Sequence, residues 1–108
     1  MVFVESSTFS IHAARYLTDE DRTALDEWLT VQPDSGALIS GSGGLRKLRW
    51  RTGGKGKKGG VRVIYYWRKP QSLIYRAEVY SKAVVTDLSM RELRELSDDL
   101  EEWLREKT

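Results

Sequence analysis

Two runs rich in β-branched and aromatic residues, VRVIYYWR at 61–68 and SLIYRAEVYSK at 72–82, are separated by only Lys69, Pro70 and Gln71. So short a connection cannot hold the crossover that parallel neighbours require, which makes the two runs strands of an antiparallel meander. A third strand precedes them in GLRKLRWR, residues 44–51. Its period-two alternation puts Leu48 and Trp50 on one face and Lys47, Arg49 and Arg51 on the other. Between these strands, TGGKGKKGG at 52–60 has five glycines to keep the backbone loose and three lysines to keep it solvated.

Helices flank the meander. Thr18 reads as an N-cap followed by Asp19, Glu20 and Asp21, where carboxylates favour the positive end of the helix dipole, and Leu25, Trp28 and Leu29 recur at helical spacing until Pro33 and Gly36. The first helix is therefore expected over 18–31. Near the C-terminus Ser89 and Glu92 form a capping box and Leu88 and Leu93 a hydrophobic staple. Leu93, Leu96, Leu100, Trp103 and Leu104 then make one apolar stripe opposite an acidic face. Before all of these, Val2 and Val4 alternate with Phe3 and Glu5, which predicts a first strand over 2–9. The order β, α, β, β, β, α gives an α+β fold: one domain over 1–108, an antiparallel sheet with helices packed on one face and basic residues on the other.

Composition agrees with a folded chain. At 108 residues, with 40% apolar residues and four Trp, it suits one domain with a single core. It has no cysteine, hence no disulfide framework and no thiolate nucleophile, which suits a reducing compartment. The start MVFVESSTFS lacks a basic leader, and the apolar run at 63–67 is far too short to cross a bilayer. A soluble cytoplasmic protein without membrane contact is expected.

Charge is distributed unevenly. Residues 37–77 contain eleven Lys or Arg and no Asp or Glu, so this middle segment is +11, while the flanks hold the other seven basic and all sixteen acidic residues and amount to −9. The net charge of +2 conceals that separation. Such a positive field points to a polyanion as partner. Strand parity refines its location. Arg62 shares a face with Ile64, Tyr66 and Arg68, whereas Val63, Tyr65 and Trp67 lie under the helices. With neighbouring strands in simple register, Arg62, Tyr66, Tyr80 and Lys82 converge on the face away from the helices.

The phrases FVESSTF, GSGGLRKLRWR, GKGKKGGVRVIYYW, VYSK and DLS, in that order over nearly the whole chain, resemble the HigB branch of the RelE superfamily, toxins of bacterial type II toxin-antitoxin pairs. That resemblance implies a small sheet with helices against it and ribosome-dependent, metal-free and cofactor-free cleavage of messenger RNA, the 2′-hydroxyl attacking the adjacent phosphate. The chemistry needs a base, an acid for the leaving 5′-oxygen, and cations for the phosphorane. Carried over by position, Arg62 contacts the scissile phosphate and Lys82 stabilises charge or donates a proton. Tyr66 and Tyr80 join them as catalytic candidates, with a loop lysine as another possible base. RNA would be held by Arg46, Lys47, Arg49, Arg51, Lys55, Lys57, Lys58 and Arg68. The implied partners are the ribosome and its messenger RNA and a cognate antitoxin with a helix-turn-helix part, through which alone the complex would meet operator DNA.

Other readings stand beside these. Relatives usually follow the YxK phrase with Asn and a charged residue, where this chain has Ala83, Val84 and Val85. A domain that binds RNA or ribosomes without cutting, or a degenerate toxin that mainly pairs with an antitoxin, is the alternative. His12 reads as a surface or capping histidine. Trp28, Trp50 and Trp103 read as packing residues, and Trp67 as a core edge or a base-stacking platform. The Gly-Lys loop lacks GxxxxGK[ST] spacing and no helix follows it, which argues against a nucleoside triphosphate.

Overall fold

A computed structural model describes residues 1–52, 60–70, 72–85 and 87–107. Among these, five strands and three helices follow in the order β1 (Val2–Glu5), α1 (Ser7–Tyr16), α2 (Asp19–Val31), β2 (Ala37–Leu38), β3 (Arg46–Trp50), β4 (Val61–Arg68), β5 (Leu73–Ser81) and α3 (Met90–Lys107). The α+β class is as expected. The sheet order is β1-β5-β4-β3-β2.

The meander β3-β4-β5 is antiparallel, but the sheet is mixed, because β1 pairs with β5 in parallel, Val2 opposite Leu73 and Glu5 opposite Arg76. The chain between those strands is long enough to supply the crossover that parallel pairing demands.

The first strand stops at Glu5 rather than running to Phe9. Ser6 ends it: the Ser6 N–H donates to the Arg76 carbonyl at 2.9 Å, while its hydroxyl accepts from the Phe9 N–H at 3.0 Å and donates to the Ala77 carbonyl at 2.8 Å. A side-chain oxygen that satisfies an orphan amide starts a helix. The stripe Phe9, Ala13 and Leu17 then buries itself at intervals of one helical turn. In α2 the expected start is found, with Thr18 and Asp21 each bonding the other's backbone N–H at 3.0 Å.

Helices cover both faces of the sheet, not one. Phe9 and Ala13 of α1 and Leu25 and Leu29 of α2 close over Val61, Val63, Tyr65, Ile74 and Val79. Leu96 and Leu100 of α3, with Trp103 and Leu104 at the edge, close over Leu45, Ile64, Tyr75 and Ala77. The physical reason lies in β4: Val61, Val63 and Tyr65 are apolar on one parity and Ile64 and Tyr66 on the other, and a strand apolar on both faces is buried on both. Trp50 and Trp67 border the first cluster and Trp103 the second. Trp28 instead remains 42% exposed, its indole N–H donating to the Ser35 hydroxyl at 2.9 Å.

Candidate nucleic-acid interface

Arg49, Arg62 and Tyr80 stand opposite one another on β3, β4 and β5. Directly opposed residues project to the same face, so the three form one row across the sheet. The adjacent row of the other parity, Leu48, Val63 and Val79, is buried core. Two cavities open on the polar row. The larger, about 790 Å³, is lined by Arg49, Trp50, Arg51, Thr52, Gly60, Arg62 and Lys82. The smaller, about 540 Å³, is lined by Ser35, Ala37, Lys47, Leu48, Arg49, Arg62, Tyr80, Lys82 and Asp87. Arg49, Arg62 and Lys82 line both.

A bulge makes this convergence possible. The β4–β5 register pairs Ile64 with Glu78 and Tyr65 with Arg76, leaving Ala77 as an extra residue on β5. One extra residue inverts the parity of everything beyond it. Tyr75 and Ala77 face α3, and so does Tyr80, an odd-to-even change that unbroken alternation forbids. Past the bulge, Lys82 follows Tyr80 to the Arg62 side. Glu78 fixes the bulge, its Oε1 accepting from the Val79 N–H at 2.9 Å and meeting His12 Nδ1 of α1 at 2.5 Å. His12 is thereby a partly exposed partner of Glu78 and lines neither cavity.

The floor of the site is cationic and partly dry. Arg62 is only 7% exposed, and its Nη1 donates to the Val61 carbonyl at 3.4 Å. Gly60, at the edge of the larger cavity, has a φ of +65°, and a Cβ there would lie 2.3 Å from the Trp50 carbonyl oxygen. Only glycine lets the two strands close at this point. Tyr80 is 5% exposed, and its phenol is pushed up to about 12, by burial first and then by the charge and hydrogen bond of Asp87, with Arg62 opposing. It keeps its proton at neutral pH. The Asp87 carboxylate receives the Tyr80 hydroxyl at 3.4 Å, Lys47 Nζ at 3.4 Å and the Leu88 N–H at 3.0 Å. Burial works against its ionisation, but these donors and the Lys47 charge outweigh that and hold Asp87 below the usual carboxylate range.

The sequence-derived candidates therefore separate. Arg62, Lys82, Tyr80, Lys47, Arg49 and Arg51 meet around the two cavities. Tyr66 does not join them: it lies four residues from Arg62, roughly 13 Å along the strand, in the α3 cluster, with its ring against Gly44. Arg68 is farther along β4, opposite Leu73. Arg46 shares parity with Leu48 and Trp50, and its guanidinium donates to the carbonyls of Asp34 at 3.1 Å and Gly36 at 2.9 Å. It braces the segment after α2. Trp67 is a core edge, with Lys69 Nζ 5.1 Å from its ring centroid. Lys55, Lys57 and Lys58 lie outside the described residues. Asp87 is the site residue that sequence reasoning passed over, because DLS reads as the opening of a helix.

No family model matches the chain. Among solved structures it is similar to the E. coli toxin RelE, determined in the free state with two arginines replaced by alanine. The TM-score is 0.54 at 12% identity, over 79% of this chain and 86% of that one. At that identity the likeness is one of fold. None of the helices among the described residues is long and apolar enough to cross a membrane.

Proposed function

We propose that this chain, as one RelE/HigB-like domain over 1–108, is a ribosome-dependent endoribonuclease that cuts messenger RNA in the cytoplasm and acts as the toxin of a toxin-antitoxin pair. One observation carries the reading: in a RelE-like fold, three cations, Arg49 of β3, Arg62 of β4 and Lys82 just past β5, line both of two cavities. A phosphodiester held by those three leaves one cavity for the nucleotide on either side. Cationic side chains take the place of a metal ion in stabilising the phosphorane, with Arg62 as the partly desolvated contact and Lys82 as stabiliser or proton donor. The 2′-hydroxyl attacks the adjacent phosphate and the 5′-oxygen leaves, giving a cyclic phosphate and a 5′-hydroxyl. DNA lacks the nucleophile.

Arg49, Arg51 and Lys47 hold the strand on either side, so binding weakens steeply with salt as counterions are released. An antitoxin with an acidic masking segment fits the same electrostatics, and operator DNA would be met only through that antitoxin.

The test uses translating ribosomes with a messenger carrying a single 2′-deoxynucleotide at a mapped cut site. Cleavage that disappears only at the deoxy position supports the reading, and cleavage that persists there refutes the 2′-hydroxyl mechanism. A non-cleaving domain that binds ribosomes or an antitoxin is the second reading. It is favoured by the turn after Lys82, where Ala83 replaces a polar group and Val84 is 71% exposed. That reading predicts salt-sensitive binding and intact messenger at every codon.

A further inference from the structure

Resting on the cleavage reading above, we propose that Asp87 is the general base that takes the proton from the attacking 2′-hydroxyl. Among the described residues, the titratable groups that line the two cavities are the cations Lys47, Arg49, Arg51, Arg62 and Lys82, the phenol of Tyr80 and the carboxylate of Asp87. A guanidinium or ammonium ion has no lone pair with which to accept a proton. The phenol already holds its proton, since burial and Asp87 push its ionisation far above neutral pH. Asp87 is then the one lining group, among the described residues, that is a base in its resting state.

Its placement suits the task. The three hydrogen bonds it receives come from β3 through Lys47, from β5 through Tyr80 and from the Leu88 N–H, and all three end on Oδ1. Among the described residues, no hydrogen bond orienting the carboxylate uses Oδ2, whose lone pairs are suited to a hydroxyl. Asp87 lines the same cavity as Arg49, Arg62 and Lys82, so a phosphodiester on those cations brings its neighbouring ribose into the cavity that contains the carboxylate. The donors keep Asp87 ionised beforehand, and the negative phosphate, once bound, raises its proton affinity at the moment it is needed.

The step balances within the site. A carboxylate oxygen of Asp87 accepts the 2′-hydroxyl proton as the 2′-oxygen bonds to phosphorus. The bond from phosphorus to the 5′-oxygen breaks, and Lys82 supplies the proton that the leaving oxygen takes up. The products are a 2′,3′-cyclic phosphate and a 5′-hydroxyl end. Solvent returns the proton to Lys82 and removes the one on Asp87.

Single-turnover cleavage of ribosome-bound messenger, followed from about pH 6 to 8, tests the assignment in the whole protein. Asp87→Asn keeps an oxygen for the Leu88 N–H and the Tyr80 hydroxyl, so it preserves the local hydrogen bonds while removing the base. Wild type is expected to show no acid limb from Asp87 in this range. The Asn variant should lose on the order of 10²- to 10⁴-fold in rate, and its remaining rate should rise tenfold per pH unit as hydroxide takes over. Asp87→Glu should recover part of the rate and the wild-type profile. An Asn variant that cuts within about threefold of wild type with an unchanged profile overturns the role of Asp87 and leaves the nuclease reading standing. If wild type itself leaves no cyclic phosphate on the messenger, both fall together.

Discussion

Two buried arginines on adjacent strands show what a sheet can do with the same charge. Arg76 on β5 is 6% exposed and Arg62 on β4 is 7% exposed, yet their surroundings are opposite. Arg76 bonds Asp26 of α2 at 2.5 Å, and its guanidinium lies 5.1 Å from the Phe3 ring centroid and 5.3 Å from that of Phe9. There a helix carboxylate and two aromatic faces neutralise the cation, and the group joins α2 to the sheet. Arg62 instead shares its cavities with Arg49 and Lys82. Like charges held close together repel, and an anion bound among them would lower that cost. One arginine is tied to a helix carboxylate, and the other borders two cavities beside two further cations. Sequence alone gives both as members of one acid-free basic segment.

Substitutions should pull the pair apart, and the largest effect is expected at Arg62. Arg62→Ala should lower single-turnover cleavage per folded molecule by about 10²- to 10³-fold, the usual consequence of removing a group aimed at developing negative charge. Arg76→Ala should act on stability instead. Breaking the pair with Asp26 is expected to cost about 3 kcal/mol in urea unfolding, with the rate per folded molecule retained. Gly60→Ala tests the strand closure beneath the larger cavity. Forcing a side chain into positive φ costs about 1–3 kcal/mol before any contact with the Trp50 carbonyl is counted, and both thermal stability and cleavage should fall. Arg49→Ala and Arg46→Ala form a smaller contrast. Loss of Arg49 should reduce the slope of log affinity for RNA against log salt by about one, and loss of Arg46 should leave that slope unchanged.

The smallest effect concerns Tyr80. Its folded-state ionisation is raised to about 12 by burial first and Asp87 next, above the value of about 10 for an unfolded tyrosine. The unfolded chain therefore releases this proton first. The contribution to stability is complete below about pH 10 and is lost as pH rises through about 12. Tyr80→Phe should flatten that part of the alkaline unfolding curve.

Much of this frame is legible in the residues. The three strands of the meander follow from VRVIYYWR, its short connection and the alternation of GLRKLRWR, and the start of α2 follows from Thr18 with Asp21. The first helix is less visible, since Val2 to Glu5 alternate like a strand and the turn into α1 depends on Ser6 reaching both Phe9 and Ala77, a contact 71 positions away. The stripe of Phe9, Ala13 and Leu17 was nonetheless present as a signal. Two-sided burial could also have been read from the unbroken apolar run in β4, although nothing local says which helix takes which face. The site was half legible. Parity put Arg62 and Arg49 on the faces where the structure has them, but Arg46, expected among the RNA-holding residues, instead braces the segment after α2, and pattern alone carries no trace of the bulge at Ala77. Asp87 was hidden because the DLS phrase reads as the approach to a helix, while its position among cations arises only in the fold.

The most direct test measures cleavage and stability together in the Arg62→Ala and Arg76→Ala proteins, with rates on translating ribosomes corrected for the folded fraction. The expected result is an Arg62 variant that is inactive per folded molecule and a destabilised Arg76 variant with wild-type activity per folded molecule. An Arg62 variant that cuts at the wild-type rate, or one that loses activity only because it unfolds, would contradict it.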